Sequence, residues 1–212
     1  MMRVWGQGER HSVFRRVPVG LLLACLGATS AVAQTCTTRG VETAGINSHQ
    51  KQGAWCAEGE FLVAFDLDGP RNYAPHDSPV VRQALCCRAG TTWWDPRWEG
   101  VWQAQKNSHQ PGDQWCPDGK FIIALDLDGP RNLDPHDSPV VGAAFCAGIE
   151  GHTGWGSRFW QGVESAGINS HQPSGSWCPA GAYLVSFDQD SRRDYAAYDS
   201  PVIGQAQCAS PR

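Results

Sequence analysis

The chain has 212 residues, 41% hydrophobic and 18% charged, with 21 acidic against 17 basic side chains and a net charge of −4. That length allows one domain with a substantial core. The acidic balance and the absence of a basic stripe argue against nucleic acid as a partner.

In chain order, residues 1–16 (MMRVWGQGERHSVFRR) are basic and 17–32 (VPVGLLLACLGATSAV) are apolar, and Ala31-Val32-Ala33 is a small-x-small signal before Gln34. That order reads as a secretory signal peptide over 1–33, its apolar part too short for a comfortable membrane span. Lipoprotein processing at Cys25 is the competing reading. Leu22-Leu23-Ala24-Cys25 fits it less well, and the later Ala-x-Ala is better placed. Cleavage after Ala33 removes four Arg and one Glu, leaving 13 basic and 20 acidic residues and a net charge of −7. No later segment is apolar enough to cross a bilayer. The expectation is an exported protein, extracellular or periplasmic.

Eight cysteines then remain, an even number suited to an oxidising compartment. Cys56 and Cys86, Cys116 and Cys146, and Cys178 and Cys208 are each 30 positions apart, with Cys36 and Cys87 left over. The simplest scheme is one disulfide inside each repeat plus a Cys36–Cys87 bridge, although a ring linking neighbouring repeats has the same symmetry. In the loop-entropy picture, each bridge closing about thirty residues contributes roughly 3.5 kcal/mol.

Residues 40–86, 100–146 and 162–208 align without a gap, and 25 of 40 positions are identical between 47–86 and 107–146. Each unit carries the word Asn-Ser-His-Gln, at 47–50, 107–110 and 169–172, with a Trp-Cys pair following at a fixed distance. The connectors 87–99 and 147–161 are rich in Gly, Trp and turn residues. GVETAGI and GVESAGI read as strands entering the Asn-Ser-His-Gln turn. FLVAFDLD (61–68), FIIALDLD (121–128) and YLVSFDQD (183–190) read as strands, covered at the start and wet at the end. Ser-Pro-Val then opens a second strand running to the last cysteine of each unit, with Pro at its beginning. No 3.6-residue apolar period persists, so the fold class is all-β with pseudo-threefold symmetry.

The pattern WCPDGKFIIALDLD…HDSPVVGAAFC resembles the repeat of the vitelline membrane outer layer protein I family. The resemblance implies a β-prism, three four-stranded sheets about a pseudo-threefold axis, an architecture shared with jacalin-type lectins. The family's Asp-Asp-Thr turn is replaced here by His76-Asp77-Ser78-Pro79, His136-Asp137-Ser138-Pro139 and Tyr198-Asp199-Ser200-Pro201. The alternative threefold fold is the β-trefoil. Its ricin-type members carry Gln-x-Trp, which these repeats lack.

Three groups of residues could carry chemistry. His49, His109 and His171 are repeat mates that could meet as a three-His metal site, or simply close polar turns. Asp66/Asp68, Asp126/Asp128 and Asp188/Asp190 form short oxygen-rich turns of the kind that bind Ca2+. Arg71, Arg131 and Arg193 could instead clamp them without an ion. The divergent third unit keeps a glycan-active carboxylate pair in view. Near-equal copies argue against it, since catalysis normally needs one asymmetric constellation. Trp55, Trp115 and Trp177 are expected to pack on the disulfides, and Trp98 and Trp160 to be structural. Trp93, Trp94, Trp102 and Trp155, with Asp95 and Arg97 interleaved, form the candidate glycan-stacking platform. The functional expectation is a secreted, non-catalytic carbohydrate-binding or adhesion protein, with a structural coat or matrix protein as the alternative.

Overall fold

A computed structural model describes residues 34–67, 81–106, 108, 111–127, 141–168, 170, 175–189 and 203–212. Within them the chain is all-β, with nine strands in three three-stranded antiparallel sheets. The first sheet holds β1 (Cys36–Gly40), β2 (Glu60–Asp66) and β3 (Gln83–Arg88). The second holds β4 (Trp93–Gly100), β5 (Lys120–Asp126) and β6 (Ala143–Ile149). The third holds β7 (Trp155–Gly162), β8 (Tyr183–Asp188) and β9 (Gln205–Pro211). The orders β1-β3-β2, β4-β6-β5 and β7-β9-β8 repeat one topology. Each sheet has three strands among the described residues, where the family resemblance implies four.

Several local expectations change. GVETAGI is not a strand: the chain leaves β1 at Gly40 and makes a 3-10 turn over Glu42–Ala44. The second strand of each unit starts later than Ser-Pro-Val, at Gln83, Ala143 and Gln205. The Trp-rich connectors are themselves edge strands, β4 and β7. The β2, β5 and β8 strands are not wet at their ends, because Asp66, Asp126 and Asp188 are buried like the residues before them.

The buried residues explain why three units close into one body. Phe61, Phe121 and Tyr183 occupy equivalent positions, and their rings meet as a triangle with centroids 5.7, 5.4 and 5.4 Å apart. Burial pushes the Tyr183 hydroxyl above its ordinary pKa, and it donates to the Arg88 carbonyl at 3.1 Å. A second aromatic layer sets Trp55 and Trp177 against Phe65, and Trp115 against Phe187. Edge-to-face aromatic pairs of this kind add about 0.5–1.5 kcal/mol each beyond burial of area.

The units are joined by a cyclic exchange of backbone hydrogen bonds. Each inner strand has a register shift, at Leu62/Ala64, Ile122/Ala124 and Leu184/Ser186. The residue skipped there turns its carbonyl out of the ladder, as a β-bulge does. The Ile123 carbonyl accepts from Trp55 N at 3.0 Å, that of Val185 from Trp115 N at 3.2 Å, and that of Val63 from Trp177 N at 3.1 Å. Each unit thus covers the edge of the next, and the third returns to the first.

The repeated Asn-Ser-His-Gln word makes the second half of this ring. Ser48, Ser108 and Ser170 are fully buried. Their carbonyls accept from the Leu127, Gln189 and Leu67 amides of the following unit at 2.9, 2.9 and 3.1 Å. Their hydroxyls accept from Val81, Val141 and Ile203 N of their own unit at 3.2, 3.5 and 3.3 Å. Ser48 also donates through N and Oγ to Glu42 Oε1, both at 3.0 Å, while the Asn47 side chain accepts from His49 N at 2.8 Å. Among the described residues, the serine is the part of the word that ties one unit to the next.

All four disulfides follow the simplest scheme: Cys56–Cys86, Cys116–Cys146 and Cys178–Cys208 within units, and Cys36–Cys87 across the β1–β3 register.

Two stability predictions follow from this ring. Ser48→Ala leaves the buried Val81 amide without its acceptor and should cost about 1–3 kcal/mol, measured by denaturant unfolding. Gln189 stands where the other units have Leu67 and Leu127; it is 1% exposed, and neither its Oε1 nor its Nε2 finds a partner. Gln189→Leu should therefore stabilise by about 1–2 kcal/mol, raising Tm by several degrees.

Candidate functional site

The sequence-derived platform divides into three parts. Trp93 and Trp155 are equivalent positions and cap the inner strand of the preceding unit. Trp93 Nε1 donates to the Glu60 carbonyl at 2.9 Å and Trp155 Nε1 to the Lys120 carbonyl at 3.0 Å. Trp155 is only 8% exposed, so it seals a sheet end and presents no stacking face. This pairing was readable in the sequence, since the two positions are 62 apart like every pair in units two and three. Both positions lie before the gap-free repeats, which start at Gly40, Gly100 and Gly162.

Trp102 lies in the turn after β4, at the position of Glu42, while Trp94 sits near the strand's start. Positions 94 and 100 alone are separated by about 20 Å of extended chain. Trp102 is thus not part of one platform with Trp94.

Trp94, Asp95 and Arg97 do come together, and they bring Lys120 with them. Trp94 is 58% exposed, the one exposed large hydrophobic side chain among the described residues. Its ring stands 5.5 Å from Lys120 Nζ, a cation–π contact. The register skips between Trp94 and Arg97, and within this bulge Asp95 adopts a left-handed φ of 45°. Aspartate tolerates that region better than most residues. The bulge aims Asp95 at Lys120, whose Nζ donates to Asp95 Oδ2 at 2.6 Å and to its carbonyl at 2.7 Å. The Lys120 bond, ahead of the charge of Arg97, holds the Asp95 carboxyl below its ordinary pKa. Arg97 also bonds Glu99, which raises the guanidinium's pKa. The result is an exposed indole on a lattice of paired charges.

Lys120 was not among the sequence candidates. Its mate in unit one is Glu60, also buried but of opposite sign, and in unit three it is Ala182. Each buried charge is answered locally, since an unpaired one would be strongly destabilising. Glu60 takes a two-pronged bond from Arg39, 2.6 Å to Oε2 and 2.8 Å to Oε1, with Arg88 at 3.4 Å. A signal was available: an acid in unit one becomes a base in unit two, just after the Gly that precedes each inner strand.

Of the six carboxylates read as a Ca2+ turn, Asp66, Asp126 and Asp188 are buried at the ends of β2, β5 and β8, on three different sheets. Asp68, Asp128 and Asp190, and Arg71, Arg131 and Arg193, lie outside the described residues. Among those described, no group of three or more His, Cys, Asp or Glu is arranged to hold a metal. Of the three histidines, His49 is half-buried, while His109 and His171 lie outside the described residues.

The Arg39 bond is the main cause of a Glu60 pKa below the ordinary glutamate value. A carboxylate with a lowered folded pKa contributes stability that is complete above its unfolded value, about 4.3, and is lost as pH falls through the folded value. A Tm–pH series should thus show wild type losing stability below about pH 4.3, with Glu60→Gln less stable at neutral pH and shallower on the acid limb. Comparison with protein-family models, with curated proteins and with solved structures gives no match for this chain.

Proposed function

We propose that this chain is a secreted, non-catalytic carbohydrate-binding protein of β-prism architecture, akin to the vitelline membrane outer layer protein I family. The observation that carries the reading is Trp94, 58% exposed on edge strand β4 and braced by Lys120. An exposed indole held in place offers a flat apolar face, and sugar C–H faces suit it. Asp95 and Arg97 alongside supply acceptors and donors for hydroxyls. Four disulfides fit an oxidising compartment, and no helix among the described residues is long and apolar enough to cross a membrane. Three separate antiparallel sheets, rather than strands shared in one barrel, support a prism over the equally threefold trefoil. A coat or matrix protein is the second reading, favoured by the use of Trp93 and Trp155 as internal seals.

The test is retention of the oxidised protein on cellulose, chitin and peptidoglycan, each with calcium and with chelator. Retention should occur on at least one polysaccharide and be indifferent to chelator. Trp94→Ala should weaken it about five- to tenfold, the loss of one stacking contact. Retention lost in chelator would move the site to the aspartate turns. No retention anywhere would leave the coat protein as the better account.

A further inference from the structure

The threefold pattern is broken along one row of the second sheet. Trp94 on β4, Gly148 on β6 and Lys120 on β5 are partners across the three strands. Their mates are Gln34, Arg88 and Glu60 in unit one, and Gly156, Ser210 and Ala182 in unit three. No position of the row is kept in any two units. In unit one the middle strand supplies Arg88, which reaches Glu60 at 3.4 Å. In unit two the middle strand supplies no side chain, and the Trp94 ring takes the space: a Cβ on Gly148 would stand 2.8 Å from Trp94 Cε3. Lys120 Nζ lies over the ring, 5.5 Å from its centroid, and the lysine side chain is only 4% exposed. One face of the indole therefore rests on the middle strand and Lys120. The exposure of Trp94, 58%, belongs to its other face and edges.

We infer that Gly148 is the positioning residue of the Trp94 site, and that the site takes the ring face of an extended polysaccharide chain rather than a free sugar. The inference rests on the carbohydrate reading and names the ligand class for that same site. Without a Cβ at 148 the indole can lie down across the sheet; with one, it must tilt away from Lys120. The backbone does not ask for glycine here, since Gly148 has no left-handed φ. A methyl group would also meet the carbonyl oxygens of Trp94 and Gly119 at 3.5 and 3.6 Å, ordinary contact distances. The ring is the one obstacle, and an exposed side chain can move aside without unfolding the sheet. Laid flat, the indole offers a single face to the C–H bonds of a pyranose. Thr91, Thr92, Asp95, Pro96 and Arg97 around it are all exposed, so the ring sits on an open stretch of edge strand. A site for a small ligand covers roughly 70–90% of the ligand's surface, which one open ring does not. A chain fits better, because the sugars beside the stacked one can rest on the exposed residues of β4.

The experiment compares oxidised wild type, Trp94→Ala, Gly148→Ala and the double variant, by NMR and by retention on cellulose, chitin and peptidoglycan. In wild type the ring current of the indole should move the Lys120 ε-methylene and Gly148 α-proton signals upfield, and Trp94→Ala should remove both shifts. Gly148→Ala should remove the Lys120 shift and weaken retention about five- to tenfold, as far as Trp94→Ala does, with no further loss in the double variant. Neither methyl β-glucopyranoside nor N-acetylglucosamine should elute the bound protein. If Gly148→Ala melts early, the double variant, freed of the clash, should recover the Tm of Trp94→Ala; a double variant that stays as unstable overturns the inference. So do additive losses in the double variant, or elution by either free sugar. Retention that Trp94→Ala weakens and Gly148→Ala leaves intact sinks this inference alone. No retention of wild type on any polysaccharide sinks the carbohydrate reading and this inference with it.

Discussion

The fold depends on closing a ring of backbone hydrogen bonds among three units that cannot each cover their own sheet edge. The inner strands β2, β5 and β8 are edges, and unpaired strand edges are a liability in water. Each bulge turns one carbonyl outward, and the Trp amide of another unit fills it. A buried serine carbonyl then ties down the amide that follows each inner strand. At about 1 kcal/mol net for a typical bond, these contacts are modest singly. Their effect is topological, because every unit both gives and receives.

That constraint accounts for what looks decorative in the chain. The Asn-Ser-His-Gln word recurs because a buried serine is needed at each junction, and short polar side chains make the turn that delivers it. The Trp-Cys pairs recur because one backbone must reach across while its ring fills the aromatic layer. The within-unit disulfides then tether each arm to the middle strand of its own sheet. Glu60 and Lys120 show the tolerance of the arrangement: one buried position takes either sign, or none at Ala182, provided its neighbours answer the charge.

The proposed function, by contrast, sits where the symmetry fails. Trp94 has Gly156 as its mate in unit three, and Thr38 has Trp98 and Trp160. In the first case a ring is added to the surface and braced by a lysine; in the second a ring is withdrawn. Repeated features serve closure, and closure leaves each unit free to diverge on its outer face, where packing against the sister units no longer decides the side chain.

Much was determined by the sequence alone. A period visible at 30-residue cysteine spacings and in gap-free repeats specified three units and an all-β class, because cysteine spacing and alternating apolar residues are local signals; of the disulfide schemes with that symmetry, the structure chose the one within units. The candidates Trp94, Asp95 and Arg97 were legible from the Trp-rich, charge-interleaved connector. What only tertiary structure decided were contacts between units. The serine's role depends on an amide some 80 residues away in units one and two. The burial of Trp155 depends on a carbonyl 35 residues earlier in the chain. Asp95 finds Lys120 only because a bulge turns it through a left-handed backbone. Local patterns report periodicity and turn chemistry; which edge meets which neighbour is settled when the ring closes.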